Sequence, residues 1–307
     1  MSYTLEIQTK ARELLTSKQV ECVIGYEVGP RGRTRPALVY DAQDVERLVW
    51  NQACTHNLTT YLNDKLNPQG PVKNKTKEHT PGRVAVVVKP CDSRAINVLL
   101  AENHFPRGLL HVIGVVCDGI LEKVGQSGNL RSVRQLPISD LSQVQSRCQR
   151  CEGHMPVTYD TLIGECPSHQ ELSLGKANQA DLIHIQAMTP AERAEYWFSQ
   201  FDRCIRCYAC RQVCPMCNCP TCLYERDDSL WVGIRIGLNE KRTFHLGRAF
   251  HLAGRCIGCD ECERVCPMNI PVSLLNRMLA KEVEALFGHR AGLAPIPPPF
   301  VTVLSGS

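Results

Sequence analysis

Eight of the eighteen cysteines in this 307-residue chain fall into two copies of one spacing, CxxCxxCxxxCP. They are Cys204, Cys207, Cys210 and Cys214 before Pro215, and Cys256, Cys259, Cys262 and Cys266 before Pro267. A disulfide framework of this density belongs to short secreted chains, and zinc ribbons use two CxxC knuckles with no place for a third Cys and a CxxxCP. The spacing suits iron-sulfur cubes instead: three thiolates on a tight loop hold three corners, and the fourth Cys is carried onto a helix. In two-cluster ferredoxins that fourth Cys ligates the other cube. Cys204, Cys207 and Cys210 therefore pair with Cys266, and Cys256, Cys259 and Cys262 with Cys214, so the two motifs are expected to interlock.

A chain of this length buries a real core and is expected to hold two domains. Met1-Ser-Tyr-Thr-Leu-Glu6 has no basic stretch followed by an apolar run, and no segment is apolar for long enough to cross a bilayer. A cytoplasmic location is expected, and it fits thiols that must stay reduced. A net charge of +4, evenly spread, gives no argument for nucleic acid. Lys73, Lys75 and Lys77 form the one basic run, in a polar stretch that reads as a solvated loop.

In the first half, Arg83-Val-Ala-Val-Val-Val-Lys-Pro90 and Leu110-His-Val-Ile-Gly-Val-Val116 read as strands, with a helical pattern between them at Ala95, Val98, Leu99 and Leu100. Strand, helix, strand joins parallel strands, and ligands gather at the carboxyl edge of such a sheet. Cys91, in the turn Pro90-Cys-Asp-Ser93, and Cys117 both fall there. Asp92 or Ser93 can cap the following helix, whose N-terminus favours thiolate at Cys91. A further CxxC, Cys148-Gln-Arg-Cys151, offers two more ligands, with Arg147 and Arg150 beside them. Either Cys91, Cys117, Cys148 and Cys151 hold a third cluster, or the first two are buried apolar thiols and the CxxC is half of a zinc site.

Lys89-Pro-Cys-Asp-Ser-Arg-Ala95, Ile113-Gly-Val-Val-Cys-Asp-Gly119, the CxxC, Tyr159-Asp160 and Ile163-Gly-Glu165 together resemble the beta-subunit family of deazaflavin-coenzyme-reducing hydrogenases and dehydrogenases. The likeness spans residues 40 to 166. It implies an iron-sulfur flavoprotein in which Cys91, Cys117, Cys148 and Cys151 hold a 4Fe-4S cluster beside FAD. The family's flavin loop is a Gly-Gly turn that opens a helix, whereas the comparable stretch here, Gln52-Ala-Cys-Thr-His-Asn-Leu-Thr59, has no glycine. Thr55, His56 and Asn57 are the polar contacts left to a flavin. Alternatively Val45, Leu48, Val49, Leu58, Tyr61 and Leu62, at helical spacing, mark a core helix. Cys22 and Cys54 read as packed thiols.

Thr189-Pro-Ala-Glu192 opens a new domain, with Thr as N-cap, Pro at the first helical position and Glu completing a capping box. Tyr196, Trp197 and Phe201 then give packing on the way into Cys204. Leu246, Ala249, Phe250 and Ala253 mark a helix between the two motifs. Beyond the turn Ile270-Pro-Val272, Leu275, Met278, Leu279, Val283 and Leu286 line another that stops at Gly288. Residues 190 to 287 resemble the helical ferredoxin of heterodisulfide-reductase and respiratory iron-sulfur subunits. Met216-Cys-Asn-Cys-Pro-Thr-Cys222 adds Cys217, Cys219 and Cys222, which bind zinc or another cluster with a fourth ligand such as Cys166, or stand as spare thiols. The Pro-rich tail reads as an extended arm against a partner or as disordered.

The expected architecture is an α/β domain with a mainly parallel sheet (1–166), a linker (167–188), an α-helical ferredoxin domain with two 4Fe-4S clusters (189–288) and a tail (289–307). No GxGxxG, Walker loop, HExxH or GxSxG is present. The expected function is an electron-transfer subunit of an anaerobic oxidoreductase, partnered by hydrogenase, formate dehydrogenase or heterodisulfide-reductase-like subunits. The alternatives are a stand-alone iron-sulfur flavoenzyme acting on a deazaflavin or ferredoxin, and a zinc-binding scaffold.

Overall fold

The computed structural model describes residues 2–29, 33–66, 82–122, 144–151, 153–165, 179–219, 222–226, 232–233 and 235–300. Cys166 and the basic run at Lys73, Lys75 and Lys77 lie outside these residues. The β-branched segments form a five-stranded sheet from β1 (Cys22–Val28), β2 (Thr34–Val39), β3 (Val84–Val88), β4 (Leu110–Val115) and β5 (Thr161–Ile163), in the order β2-β1-β3-β4-β5. β1 pairs antiparallel with β2, and the other three pairings are parallel. Every residue of β3 and β4 is buried, as expected of parallel strands covered on both faces.

Around the sheet lie α1 (Tyr3–Thr16), α2 (Thr60–Leu66) and α3 (Pro90–Ala101), which starts directly beyond β3. α1 buries Ile7, Ala11 and Leu14, spaced for one helical face. The core helix given as one alternative for residues 45 to 62 is instead a short 3-10 segment, Ala42–Arg47, and then α2. Two Asn side chains turn the chain between them: Asn51 Oδ1 accepts from Ala53 N at 2.8 Å, and Asn57 Oδ1 from Thr59 N at 3.1 Å. Such local bonds compete with helix.

The remaining helices are α4 (Ser146–Gln149), α5 (Ala180–Ala187), α6 (Pro190–Asp202), α7 (Ala209–Gln212), α8 (Leu238–His251), α9 (Glu261–Arg264) and α10 (Val272–Phe287). The capping box at α6 forms as expected, with Thr189 N donating to Glu192 Oε2 at 2.8 Å. Gly288 ends α10 in the left-handed region. Within the stretch read as a linker, α5 packs Leu182 and Ile185 against Trp197, Phe201, Leu274 and Leu275. α8 is present, but its buried face is not the apolar one: Leu246 and Phe250 are exposed, while Lys241, His245 and Arg248 are buried with Phe244 and Ala249. Polar side chains lie inward there because they meet carbonyls and thiols rather than a hydrocarbon core. Among the described residues no helix is long and apolar enough to cross a membrane.

The helical half is bonded onto the sheet half. Arg255 pairs with Glu102 at 2.5 and 2.6 Å, and Thr60 Oγ1 donates to Val213 O at 3.1 Å. Beyond Gly288 the chain returns to α3, where Arg94 donates twice to Ala291 O and buried Asn97 donates to Gly292 O at 3.0 Å. Gly292 has φ 73°, and a Cβ there would stand 2.2 Å from the Arg94 carbonyl. Gly292→Ala therefore forces the segment off α3. Limited proteolysis should cut the variant beyond Gly288 several-fold faster than the wild type while the sheet half stays protected.

Candidate iron-sulfur centres

The two cysteine motifs repeat in backbone as well as in spacing. Arg206 and Tyr208, which flank Cys207, have φ 54° and 57°; Gly258 and Asp260, which flank Cys259, have φ 69° and 51°. These left-handed positions curl each loop so that backbone N–H groups point inward at sulfur, as when Arg206 N donates to Cys204 Sγ at 3.3 Å. Each loop runs into a one-turn helix, α7 or α9, and ends in a matching turn. Cys217 N donates to Cys214 O at 3.0 Å, and Asn269 N to Cys266 O at 3.2 Å. Within that turn only the last position differs: Cys214-Pro-Met-Cys217 stands against Cys266-Pro-Met-Asn269.

The thiols fall into the crossed sets. Cys210 lies beside Cys204, Cys207 and Cys266, and Cys214 beside Cys256, Cys259 and Cys262. Burial pushes the Cys210 and Cys256 thiols up to about 11. Those two thiols stay protonated until metal displaces the proton, whereas the hydrogen bond with Cys217 draws Cys214 down to about 6. Arg248, 3% exposed, stands between the sets, near Cys210 of one and Cys214 and Cys262 of the other, and donates to Cys210 O at 3.1 Å.

A third set assembles at the carboxyl edge of the sheet. Cys91 lies in the first turn of α3 beyond β3, Cys117 just beyond β4, and Cys148 and Cys151 at α4. Together they line a cavity of about 460 Å³, whose opposite wall includes Cys256 and Cys259. Arg147 spans the gap: it donates to Cys259 O at 2.7 Å, to Glu261 Oε1 at 2.8 Å and to Thr55 O at 2.9 Å, and it lies near Cys148 and Cys91. The helix N-terminus does not favour thiolate at Cys91. Burial, and then the carboxylate of Asp92, push that thiol well up, outweighing Lys89.

Lys89 is buried where sequence reasoning saw only a strand end. Its Nζ meets Asp92 Oδ2 at 2.9 Å, His56 O at 2.6 Å and the Tyr26 hydroxyl. The carboxylate of Asp92 accepts from Lys89 N at 3.1 Å, which locks the helix start that carries Cys91. The Lys-Pro-Cys-Asp string held this information, but a buried lysine is too rare to be expected without its partners in view.

Thr55, His56 and Asn57 sit in the turn before α2. Thr55 and His56 carbonyls are taken by Arg147 and Lys89, Asn57 caps the turn, and none of the three lines the 460 Å³ cavity. Burial, aided by Arg264, lowers His56 to about 4. Cys22 and Cys54 are packed in the core, and burial raises Cys54 to about 12. Cys217, Cys219 and Cys222 line one small cavity on the far side of Cys214. Among the described residues no three His, Cys, Asp or Glu side chains converge as a single metal ion requires. The donor chemistry fits cubes, which spread four thiolates around a larger body: twelve free thiols in three sets of four, with a buried arginine between neighbouring sets.

A 4Fe-4S dicluster domain matches residues 200–270. The chain is 24% identical, over an alignment of 296 residues, to the F420-dependent formate dehydrogenase subunit beta of Methanocaldococcus jannaschii, covering 72% of this chain and 76% of that one. It is also 24% identical to the F420-dependent formate dehydrogenase 1 subunit beta of Methanococcus maripaludis, covering 71% and 75%. The chain thus resembles beta subunits of F420-dependent formate dehydrogenases, and its helical half carries a 4Fe-4S dicluster domain.

Lys89→Met would leave the Asp92 carboxylate buried without its cation. It should cost about 3–5 kcal/mol in chemical denaturation of the full chain, whereas Lys89→Met with Asp92→Asn should recover part of that loss.

Proposed function

We propose that this chain is the electron-transfer subunit of an anaerobic multi-subunit oxidoreductase, holding three 4Fe-4S clusters in sequence. Cys204, Cys207, Cys210 and Cys266 would hold the first, Cys256, Cys259, Cys262 and Cys214 the second, and Cys91, Cys117, Cys148 and Cys151 the third. Bound there, the clusters supply one-electron chemistry. The chain itself fixes their spacing, excludes water and opposes their negative charge. The observation that carries the reading is the placement of Arg147 and Arg248, each buried between two neighbouring thiolate sets. The relatives' names make a formate dehydrogenase-type catalytic subunit the preferred partner, with hydrogenase or heterodisulfide-reductase-type partners as analogues. Cluster-binding thiols must stay reduced, which favours a cytoplasmic setting.

One observation favours a flavin in the same chain. The 460 Å³ cavity is in the range of small-molecule sites, and Arg94, Arg277, Lys281 and Arg290 around it suit a phosphate-bearing ligand. FAD exchanging electrons with a deazaflavin would sit there rather than at Thr55, His56 and Asn57. Zinc in a colourless chain would instead select a scaffold.

Anaerobically purified wild type should carry at least about twelve irons and as many acid-labile sulfides. Cys91→Ser with Cys117→Ser should remove about four of each, and an unchanged count would overturn the third centre. Arg147→Gln removes a cation beside two centres. It should lower the midpoint potentials of both in an EPR-monitored titration, because the added electron loses its compensating charge.

A further inference from the structure

We infer that Cys217, Cys219 and Cys222, with His251, are the ligands of a further iron-sulfur cluster beside the second one. This rests on the reading that the chain loads such clusters. The internal repeat isolates the feature: where the second copy turns at Asn269, the first places Cys217, and two more thiols follow within five residues. None of the three is in a disulfide. All three line one cavity, and His251, exposed on the last turn of α8, lines it too.

The shape of the cavity favours a cluster over a single ion. Tetrahedral zinc draws its thiolates to ~2.3 Å from one point and leaves no space among them. Here a void of about 30 Å³ separates the residues, more than the ~10–15 Å³ that one water needs. No three donors among the described residues converge on one point, and the same holds for the thiols of the dicluster motifs.

The charge around the cavity favours an anionic group. Arg211, Arg248 and Arg255 line it. Each guanidinium is fixed from behind: Arg211 to Glu225 Oε2 at 2.8 Å, Arg248 to Cys210 O at 3.1 Å, and Arg255 to Glu102 and to Asn218 Oδ1 at 3.2 Å. Three pinned cations facing three thiols suit a polythiolate cluster carrying net negative charge. Cys217 also hydrogen bonds to Cys214, so the site adjoins the second cube, and Arg248 serves both.

The full chain, reconstituted anaerobically with iron and sulfide, should hold about sixteen irons. Cys217→Ser/Cys219→Ser/Cys222→Ser should hold about four fewer, with unchanged far-UV circular dichroism. An iron count untouched by the triple variant overturns the inference, as does loss of one zinc with no iron. His251 gives a test independent of that variant's folding. Spin-echo envelope modulation of the reduced wild type should show strong imidazole nitrogen coupling, abolished in His251→Cys at constant iron, and absence of that coupling in the wild type overturns the ligand set. A wild-type chain without iron defeats the electron-transfer reading itself. One with about twelve irons, indifferent to the triple variant, defeats only this site.

Discussion

Two arginines buried among the cysteines organise this molecule. Arg248 rises from α8 between the crossed halves of the dicluster motif, and Arg147 from α4 between that motif and the sheet. An uncompensated guanidinium would be expelled from such interiors, and each is held by backbone carbonyls, Arg147 also by the Glu261 carboxylate. Arg147 illustrates the consequence: in holding Cys259 O, Glu261 and Thr55 O together it fastens α9 to the turn before α2. Charge balance at the centres and docking of the two halves are met by the same side chain.

The parts of the fold legible in the sequence were those governed by local rules. Val84–Val88 and Leu110–Val115 are β-branched runs that no other element accommodates, and α6 begins where Thr189, Pro190 and Glu192 say it must. The likeness of the two cysteine loops has a different basis: four cysteines at fixed intervals fit few loops, and the left-handed residues at Arg206, Tyr208, Gly258 and Asp260 are what that spacing needs. The turn at Asn51–Asn57 was misread because Val45, Leu48, Leu58 and Leu62 do sit at helical spacing, and only the two Asn side chains divert the chain. Periodicity reports burial; it does not report what interrupts the backbone between buried positions.

The face of α8 was misread for a related reason. Leu246 and Phe250 look like core and are exposed, whereas Lys241, His245 and Arg248 look like surface and are buried. The hydrophobic rule assumes that the interior offers hydrocarbon. Here it offers the carbonyls of Asp202 and Cys210, the ring of Phe201 stacked on His245 at 4.6 Å, and the thiols themselves. Charged residues at helical spacing opposite a cysteine motif are therefore candidates for its inner lining. Lys89 extends the point to the sheet half, because its partners Asp92, Tyr26 and the His56 carbonyl are spread over separate elements.

The shared cavity also limits how the halves can move. Its walls carry Cys91, Cys117 and Cys148 from the sheet half and Cys256 and Cys259 from the helical half, so neither half closes it alone. A hinge at this boundary would open the cavity to water and separate Arg147 from its partners Cys259 O and Glu261, raising the local dielectric and weakening that ion pair. The chain opposes such motion at widely separated points: Arg255 on Glu102, Thr60 on Val213, and the segment beyond α10 returning to Arg94 and Asn97. None of these contacts involves a cysteine side chain. Their common effect is to hold Cys91, Cys117 and Cys148 at a fixed separation from Cys256 and Cys259.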